Sequence, residues 1–211
     1  MKEIRNIIFD FGAVIINIDP DAVFRYLMEN GINNIDKLHE AFTENHIYRD
    51  LETGKTGPDE FRSAIREALG MSFSDEDIDA IWNSIILDIP PERVSFLNRL
   101  KTKYSIYLLS NTNSIHYDHY NSYFRNTYDY PSLDSFFTRA WYSHILGVRK
   151  PDPEIFRMVL DDGRLDPDET AFIDDMKINV DAAATLGIHP VHLSEGMEIM
   201  DLFDGELVLK G

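Results

Sequence analysis

Three stretches of the chain run apolar and β-rich, then stop abruptly on small polar or acidic residues: Asn6 to Asp10, Ser105 to Ser110 with Asn111 next, and Thr170 to Asp175. Each is followed by helix-compatible sequence, and that alternation predicts a parallel sheet with crossover helices. Ser135 to Tyr142 and His189 to Leu193 are weaker strand candidates. Between about Asp19 and Arg93 the period changes. Apolar residues there recur at helical spacing, in Ala22-Val23-Phe24-Tyr26-Leu27, Phe61-Ala64-Ile65-Ala68-Leu69 and Ile78-Ile81-Trp82-Ile85-Ile86. Asp19-Pro20 and Pro90-Pro91 bracket this region, and Gly31, Gly54, Gly57-Pro58 and Gly70 punctuate it as turns. The pattern predicts an α/β sandwich interrupted after its first strand by a helical insertion. No internal repeat or low-complexity segment breaks it.

Length allows this arrangement, because 211 residues suit one core carrying a modest insertion. A composition 44 % hydrophobic and 27 % charged is that of a soluble globular protein. The formal net charge of -17 changes the picture of possible partners. Such a field repels nucleic acid and anionic lipid, so neither is an expected partner, and an anionic ligand needs local cations to bind. With no cysteine there are no thiolate metal sites, disulfides or cysteine nucleophiles, and a reducing compartment is the easier reading. The first apolar run is about four residues before Asp10 interrupts it, too short for a signal peptide or a membrane span. A cytoplasmic location is expected.

In an open parallel sheet, ligands bind outside the carboxyl ends of the strands. The predicted strand ends bring Asp10, Ser110-Asn111 and Asp174-Asp175 around one crevice, and Gly147-Val148-Arg149-Lys150-Pro151-Asp152-Pro153 adds a lysine before a turn-fixing proline. Taken singly, each piece reads as a turn former or a helix cap. Together they are complementary. Crowded carboxylates stay ionised only beside a cation, and hard oxygen donors suit Mg²⁺. A lysine and a serine hydroxyl beside such a metal suit a tetrahedral oxyanion, and a carboxylate there can attack phosphorus.

These residues resemble the motifs of the haloacid dehalogenase-like hydrolase superfamily: Phe9-Asp10-Phe11-Gly12-Ala13-Val14, Leu109-Ser110-Asn111-Thr112, Lys150-Pro151, and Phe172-Ile173-Asp174-Asp175 followed by Asn179 and Ala182-Ala183-Ala184. The resemblance spans the chain and implies a Rossmann-like parallel core, residues 1–16 and 94–211, with a helical cap at 17–93 inserted after the first strand. It implies that Asp10 is the nucleophile and a Mg²⁺ ligand. Ser110 and Asn111 would bind the phosphoryl group, and Lys150 would neutralise nucleophile and phosphate. Asp175 would be the direct metal ligand, with Asp174 adjacent or water-bridged and Asn179 as its buttress.

One position departs from the pattern. Most phosphatases of the superfamily carry a second aspartate two residues after the nucleophile as acid and base, and this chain has Gly12. The backbone carbonyl that ligates the metal there survives the change, whereas a contribution of about 10² to 10⁴ from acid–base catalysis does not. Similarity to a bacterial sugar-phosphate phosphatase subgroup, including glucose-1-phosphate phosphatase, extends to Asp10-x-Gly12-x-Val14-Ile15, to His116, and to Gly147-x-Arg149-Lys150-Pro151. An aldose 1-phosphate fits a missing acid, because its anomeric oxygen departs as a weaker base. The leading expectation is therefore a Mg²⁺-dependent phosphatase of a small phosphorylated metabolite, monomer or dimer. A 2-haloacid dehalogenase, with Asp10 attacking carbon, and a non-catalytic phospholigand-binding or interaction module remain the alternatives. A two-component receiver domain is excluded by motif order, since its acidic pair comes first.

Three further residues are candidates for the substrate. His116 follows the phosphate motif and either faces the substrate or sits on a helix surface. His46 and Arg49, just before Leu51-Glu52-Thr53-Gly54, either contact the leaving group or belong to a solvated face. The aromatic run Tyr117, Tyr120, Tyr123, Phe124, Tyr128 and Tyr130 lacks the basic groove of a nucleic-acid stacking site, and reads as core, sugar-facing wall or dimer surface in that order.

Overall fold

The computed structural model describes residues 2–32, 36, 46–128 and 130–210. Strands β1 (Asn6–Phe9), β2 (Ser105–Ser110), β3 (Arg139–Tyr142), β4 (Thr170–Asp174) and β5 (His189–His192) form one sheet in the order β3-β2-β1-β4-β5. Every pairing is parallel, with Phe9 opposite Leu108 on one side and Ile173 on the other. Helices α1 (Ala22–Glu29), α2 (Ile47–Glu52), α3 (Pro58–Leu69), α4 (Asp75–Asn83) and α5 (Pro91–Leu100) lie between β1 and β2. Then follow α6 (Ser114–Thr127), α7 (Ser143–Leu146), α8 (Pro153–Gly163) and α9 (Lys177–Ala184).

The central strand explains the layering. Ile7, Ile8 and Phe9 are fully buried, as expected of a parallel strand covered on both faces. Ile7 and Phe9 pack with Leu97 and Leu100 of α5 and Phe124 of α6, while Ile8 packs with Ile155 and Phe156 of α8 and Ala183 of α9. The sheet is thus sandwiched between helices, a Rossmann-like α/β core. The aromatic run on α6 belongs to this core, with Tyr120 against Phe11 at 4.8 Å between ring centroids.

The insertion forms its own apolar cluster from Val23, Leu27, Leu51, Phe61, Ile65 and Trp82. Its helices start and stop where the sequence signals them. Pro58 opens α3, Glu60 accepts from the Gly57 N–H at 3.1 Å, and Gly70 closes it with φ 65°. Ser74 and Asp77 cap α4 reciprocally. Among the described residues of 19–93 no strand forms, and an isolated antiparallel bridge, Ile18 to Ile86, joins the two connections to the core.

One expected strand is shorter than its sequence reading. Within Ser135 to Tyr142, pairing begins at Arg139, and Asp134–Phe136 form a 3₁₀ turn instead. The Ser135 hydroxyl donates to the Ser132 carbonyl at 2.6 Å, and the Ser135 N–H donates to the Ser132 hydroxyl at 3.3 Å. Such local bonds compete with a sheet ladder. Among the described residues, no helix is long and apolar enough to cross a membrane.

Arg93 and His116 are among the side chains that fasten the insertion to the core. The buried Arg93 guanidinium donates to the Ile15 carbonyl, to Asn17 Oδ1 and twice to Glu198. His116 of α6 stacks on Trp82 of α4, 5.1 Å apart and 17° from parallel. Its Nε2–H donates to the Trp82 carbonyl at 3.1 Å, and Nδ1 accepts from Asn113 at 3.1 Å, so the ring is neutral with both nitrogens occupied. Burial pushes its pKa from 6.5 down to about 4; the Trp82 carbonyl opposes this and neighbouring His119 adds to it.

The unfolded chain therefore binds a proton at His116 near pH 6.5 and the folded chain near pH 4, so this residue's contribution is complete above pH 6.5 and lost as pH falls toward 4. At 1.36 kcal/mol per pKa unit, its contribution is at most roughly 3 kcal/mol. In thermal melts across that window, His116→Gln is expected to lose midpoint less steeply with acid than the parent. Parallel curves would show that the imidazole carries no such linkage.

Candidate active site

The strands of the sheet centre end level with one another, which sets the site. The Asp10 N–H donates to the Ile173 carbonyl at 2.8 Å, so Asp10 leaves β1 at the last rung of the ladder, beside the C-terminal ends of β2 and β4. Ser110 closes β2 and Asp174 closes β4. The loop before α8 brings Lys150 in from the side.

Lys150 is only 1 % exposed. Its Nζ donates to Asp10 Oδ1 at 2.6 Å, to Asp174 Oδ2 at 2.8 Å and to the Leu109 carbonyl at 3.0 Å. An ammonium has three N–H donors, and all three are used. Burial alone would lower the lysine pKa; the two carboxylates more than offset it and hold it above its ordinary value. Asp10 feels the reverse balance: burial, with the charge of Asp174, pushes it up to about 7 against the pull of Lys150. Asp175 is also raised, by burial first and by Asp174 second.

Asp174 and Asn111, read in the sequence as metal-neighbouring and phosphate-binding residues, both have side chains engaged by protein partners. Asp174 is fully buried and accepts four hydrogen bonds, from Lys150, the Met176 N–H and twice from Asn179. That fixes it as the anchor of Lys150 and leaves Asp10 and Asp175 as the more available carboxylates. Asn111 Oδ1 accepts from the Lys150 N–H at 2.9 Å while its Nδ2 donates to the Lys150 carbonyl at 3.0 Å. Its side chain thus holds the lysine loop. Ser110, in contrast, donates its hydroxyl to the Asn111 carbonyl over 3.4 Å, a long bond that a ligand oxygen would readily displace.

Asp10, Asp174 and Asp175 each bring a carboxylate oxygen within 4.8 Å of the others. Three such groups face one ammonium, a local excess of negative charge that a hard divalent cation would balance. Beside them opens a cleft of about 500 Å³ lined by Gly12, Ser110, Asn111, Thr112, Tyr48 and Glu52, among others. His116 also lines it, but with both nitrogens engaged. His46 and Arg49 are exposed and do not line this cleft. The face of α2 that turns inward carries Tyr48 and Glu52 instead, four residues apart and so stacked on one side of the helix.

Sequence reasoning missed that pair and their core partner. Glu52 is 2 % exposed, and its Oε2 pairs with Arg149 Nε at 2.9 Å. The guanidinium lies 5.7 Å from the centre of the Tyr48 ring, and the Tyr48 hydroxyl bonds Glu52. The available signal was the spacing of Tyr48 and Glu52 around buried Leu51. Ser143, also missed, accepts from the Thr112 N–H at 2.9 Å and donates to the Thr112 carbonyl at 3.0 Å, bracing the phosphate-motif turn.

No family model matches the chain. A D-ribitol-5-phosphate phosphatase from Bacteroides thetaiotaomicron is 30% identical over 195 residues, covering 92% of this chain and 94% of that protein. A HAD family enzyme from the same species, solved with magnesium and inorganic phosphate, superposes with a TM-score of 0.86 at 38% identity, over 95% of this chain and 100% of its own. An L-2-haloacid dehalogenase superposes with a TM-score of 0.61 at 14% identity, over 99% and 92%, and shares the fold alone. Continuous similarity over nearly the whole length of these relatives, together with the α/β core, makes the chain a member of the haloacid dehalogenase-like (HAD) hydrolase family.

Proposed function

We propose that the chain is a Mg²⁺-dependent phosphatase of a small sugar or sugar-alcohol phosphate, with Asp10 as nucleophile and residues 17–93 as a cap over the cleft. The observation that carries this reading is the Lys150 ammonium bridging Asp10 and Asp174 at 2.6 and 2.8 Å, beside Asp175 and a cleft lined by Ser110. Similarity to a D-ribitol-5-phosphate phosphatase supports the polyol class. The finer expectation of an aldose 1-phosphate rests on Gly12 and its need for a good leaving group.

The donor set fits Mg²⁺: Asp10 and Asp175, the Gly12 backbone carbonyl, and Asp174 behind them, all hard oxygen. Bound there, the cation would neutralise the phosphoryl oxygens and the attacking carboxylate. Lys150 holds Asp10 in place and adds positive charge beside the phosphoryl group. Ser110 donates to a phosphoryl oxygen. Asp10 then attacks phosphorus, the bond from phosphorus to the leaving oxygen breaks, and that oxygen takes a proton from solvent. Water attack on the aspartyl phosphate releases inorganic phosphate and restores Asp10. Cap side chains over the cleft limit water during the first step.

The carboxylate cluster also weighs against the two alternatives. Halide departure from carbon calls for no cation beside the nucleophile, and a module that merely binds has no need of a lysine-activated aspartate.

Asp10→Asn is expected to abolish Mg²⁺-dependent phosphate release from p-nitrophenyl phosphate and from sugar and sugar-alcohol phosphates, while the protein stays folded by circular dichroism. Chelation with EDTA should do the same to the parent, with added Mg²⁺ restoring the rate. Undiminished turnover in the variant, or chloride release from 2-chloropropionate without metal, would refute the assignment.

Gly12 supplies a second test. A Cβ built there would meet nothing nearer than Ile18 Cδ1 at 3.5 Å, an ordinary contact, so the backbone surroundings accept a Cβ. Gly12→Asp is expected to raise kcat for a terminal sugar-alcohol phosphate by about tenfold or more, within the ~10² to 10⁴ range of acid–base catalysis, and to change p-nitrophenyl phosphate little. Equal effects on both would mean that leaving-group protonation does not limit the reaction.

A further inference from the structure

Glu52 is the most confined charge in the cleft outside the carboxylate cluster. It stands on the cap side of the cleft, 2 % exposed, paired with Arg149 at 2.9 Å and bonded by the Tyr48 hydroxyl. Burying such a pair contributes little to stability, because desolvation offsets the attraction, so stability is a weak reason for it. A carboxylate has about four acceptor positions, and two partners leave capacity for further donors. Around it the cleft is lined both by apolar residues, Ile16, Ile18, Ile85 and Ile86, and by polar ones, Tyr48 and Thr112. That combination suits a polyol, whose carbons pack on aliphatic groups while its hydroxyls seek acceptors. Lys150 stands beside this cleft, near enough for Glu52 to feel its charge, and the chain around them carries a net charge of -17.

We propose that Glu52, oriented by Arg149 and Tyr48, determines leaving-group specificity: it accepts hydrogen bonds from hydroxyls of a neutral polyol and turns away phosphate esters that carry a second anion. The inference rests on the phosphatase reading of the same site. The exclusion works through the pair: Glu52 cancels the charge of Arg149, so a second anion finds no free cation among the described residues at this end of the cleft. The role is one of binding, so its loss falls on KM before kcat.

The test compares a sugar-alcohol phosphate, 2-phosphoglycolate and p-nitrophenyl phosphate in the presence of Mg²⁺, for the parent, Glu52→Gln and Glu52→Asp. In Glu52→Gln, kcat/KM for the sugar-alcohol phosphate is expected to fall at least tenfold, mainly through KM. For 2-phosphoglycolate it should rise several-fold, with p-nitrophenyl phosphate within about threefold of the parent, consistent with the weight of hydrogen bonds to charged groups. Glu52→Asp keeps the charge and should keep the exclusion of 2-phosphoglycolate. A uniform loss on all three substrates, or no change on any, would overturn the specificity role. Absence of Mg²⁺-dependent turnover of p-nitrophenyl phosphate by the folded parent would instead sink the phosphatase reading beneath it.

Discussion

A single buried ammonium organises this molecule. Lys150 ties the tips of two neighbouring strands, through Asp10 on β1 and Asp174 on β4, and also caps β2 through the Leu109 carbonyl. A charge that deep is tolerable only with its hydrogen bonds complete and opposite charges in contact, and here both conditions hold. The dependence is mutual. Without the lysine, Asp174 would be an uncompensated buried carboxylate, and Asp10 would lose the partner that restrains its upward pKa shift. Much of the surrounding polar structure serves to keep Lys150 where it is: Asn111 clasps its backbone from both sides, and Asn179 and the Met176 N–H fill the remaining acceptor positions of Asp174.

This division of labour separates scaffold from chemistry within four adjacent polar residues. Asp174 and Asn111 are tied to protein partners through their side chains, and Asp175 and Ser110, their immediate neighbours, are held less tightly. β2 and β4 thus each contribute one residue that locks the geometry beside one that is freer to meet a ligand. In a site where reacting atoms must be held within a fraction of an ångström, the locked residue matters as much as the open one.

The sheet was legible because its strands are apolar on both faces and end on polar residues, a pattern that parallel packing imposes locally. Strand-end placement of Asp10, Ser110 and Asp174 followed from the same pattern. The partner choices did not. Asn111 and Lys150 are 39 residues apart and Lys150 and Asp174 are 24, so nothing in their local spacing told that the Asn111 side chain clasps the lysine loop. His46 and Arg49 drew attention as charged or titratable residues, whereas α2 turns Tyr48 and Glu52 inward because Leu51 sets the buried face. His116 was readable as substrate-facing or as surface; it lines the cleft and is at the same time a neutral, buried link whose partner, the Trp82 carbonyl, lies in the insertion.

That link bears on how the proposed cap could move. Ile115, next in the chain to His116, is a residue of the core helix α6 yet packs in the apolar cluster of the insertion. A cap that lifted straight away would draw Ile115 into water, at about 2 kcal/mol for a side chain of that size, and break the His116 bond as well. The Glu52–Arg149 pair stands close by, because Glu52 bonds Tyr48, whose ring lies 5.8 Å from that of Trp82, the residue stacked on His116. The proposed cap is therefore sewn to the core along one continuous seam that is apolar at Ile115, hydrogen-bonded at His116 and ionic at Glu52.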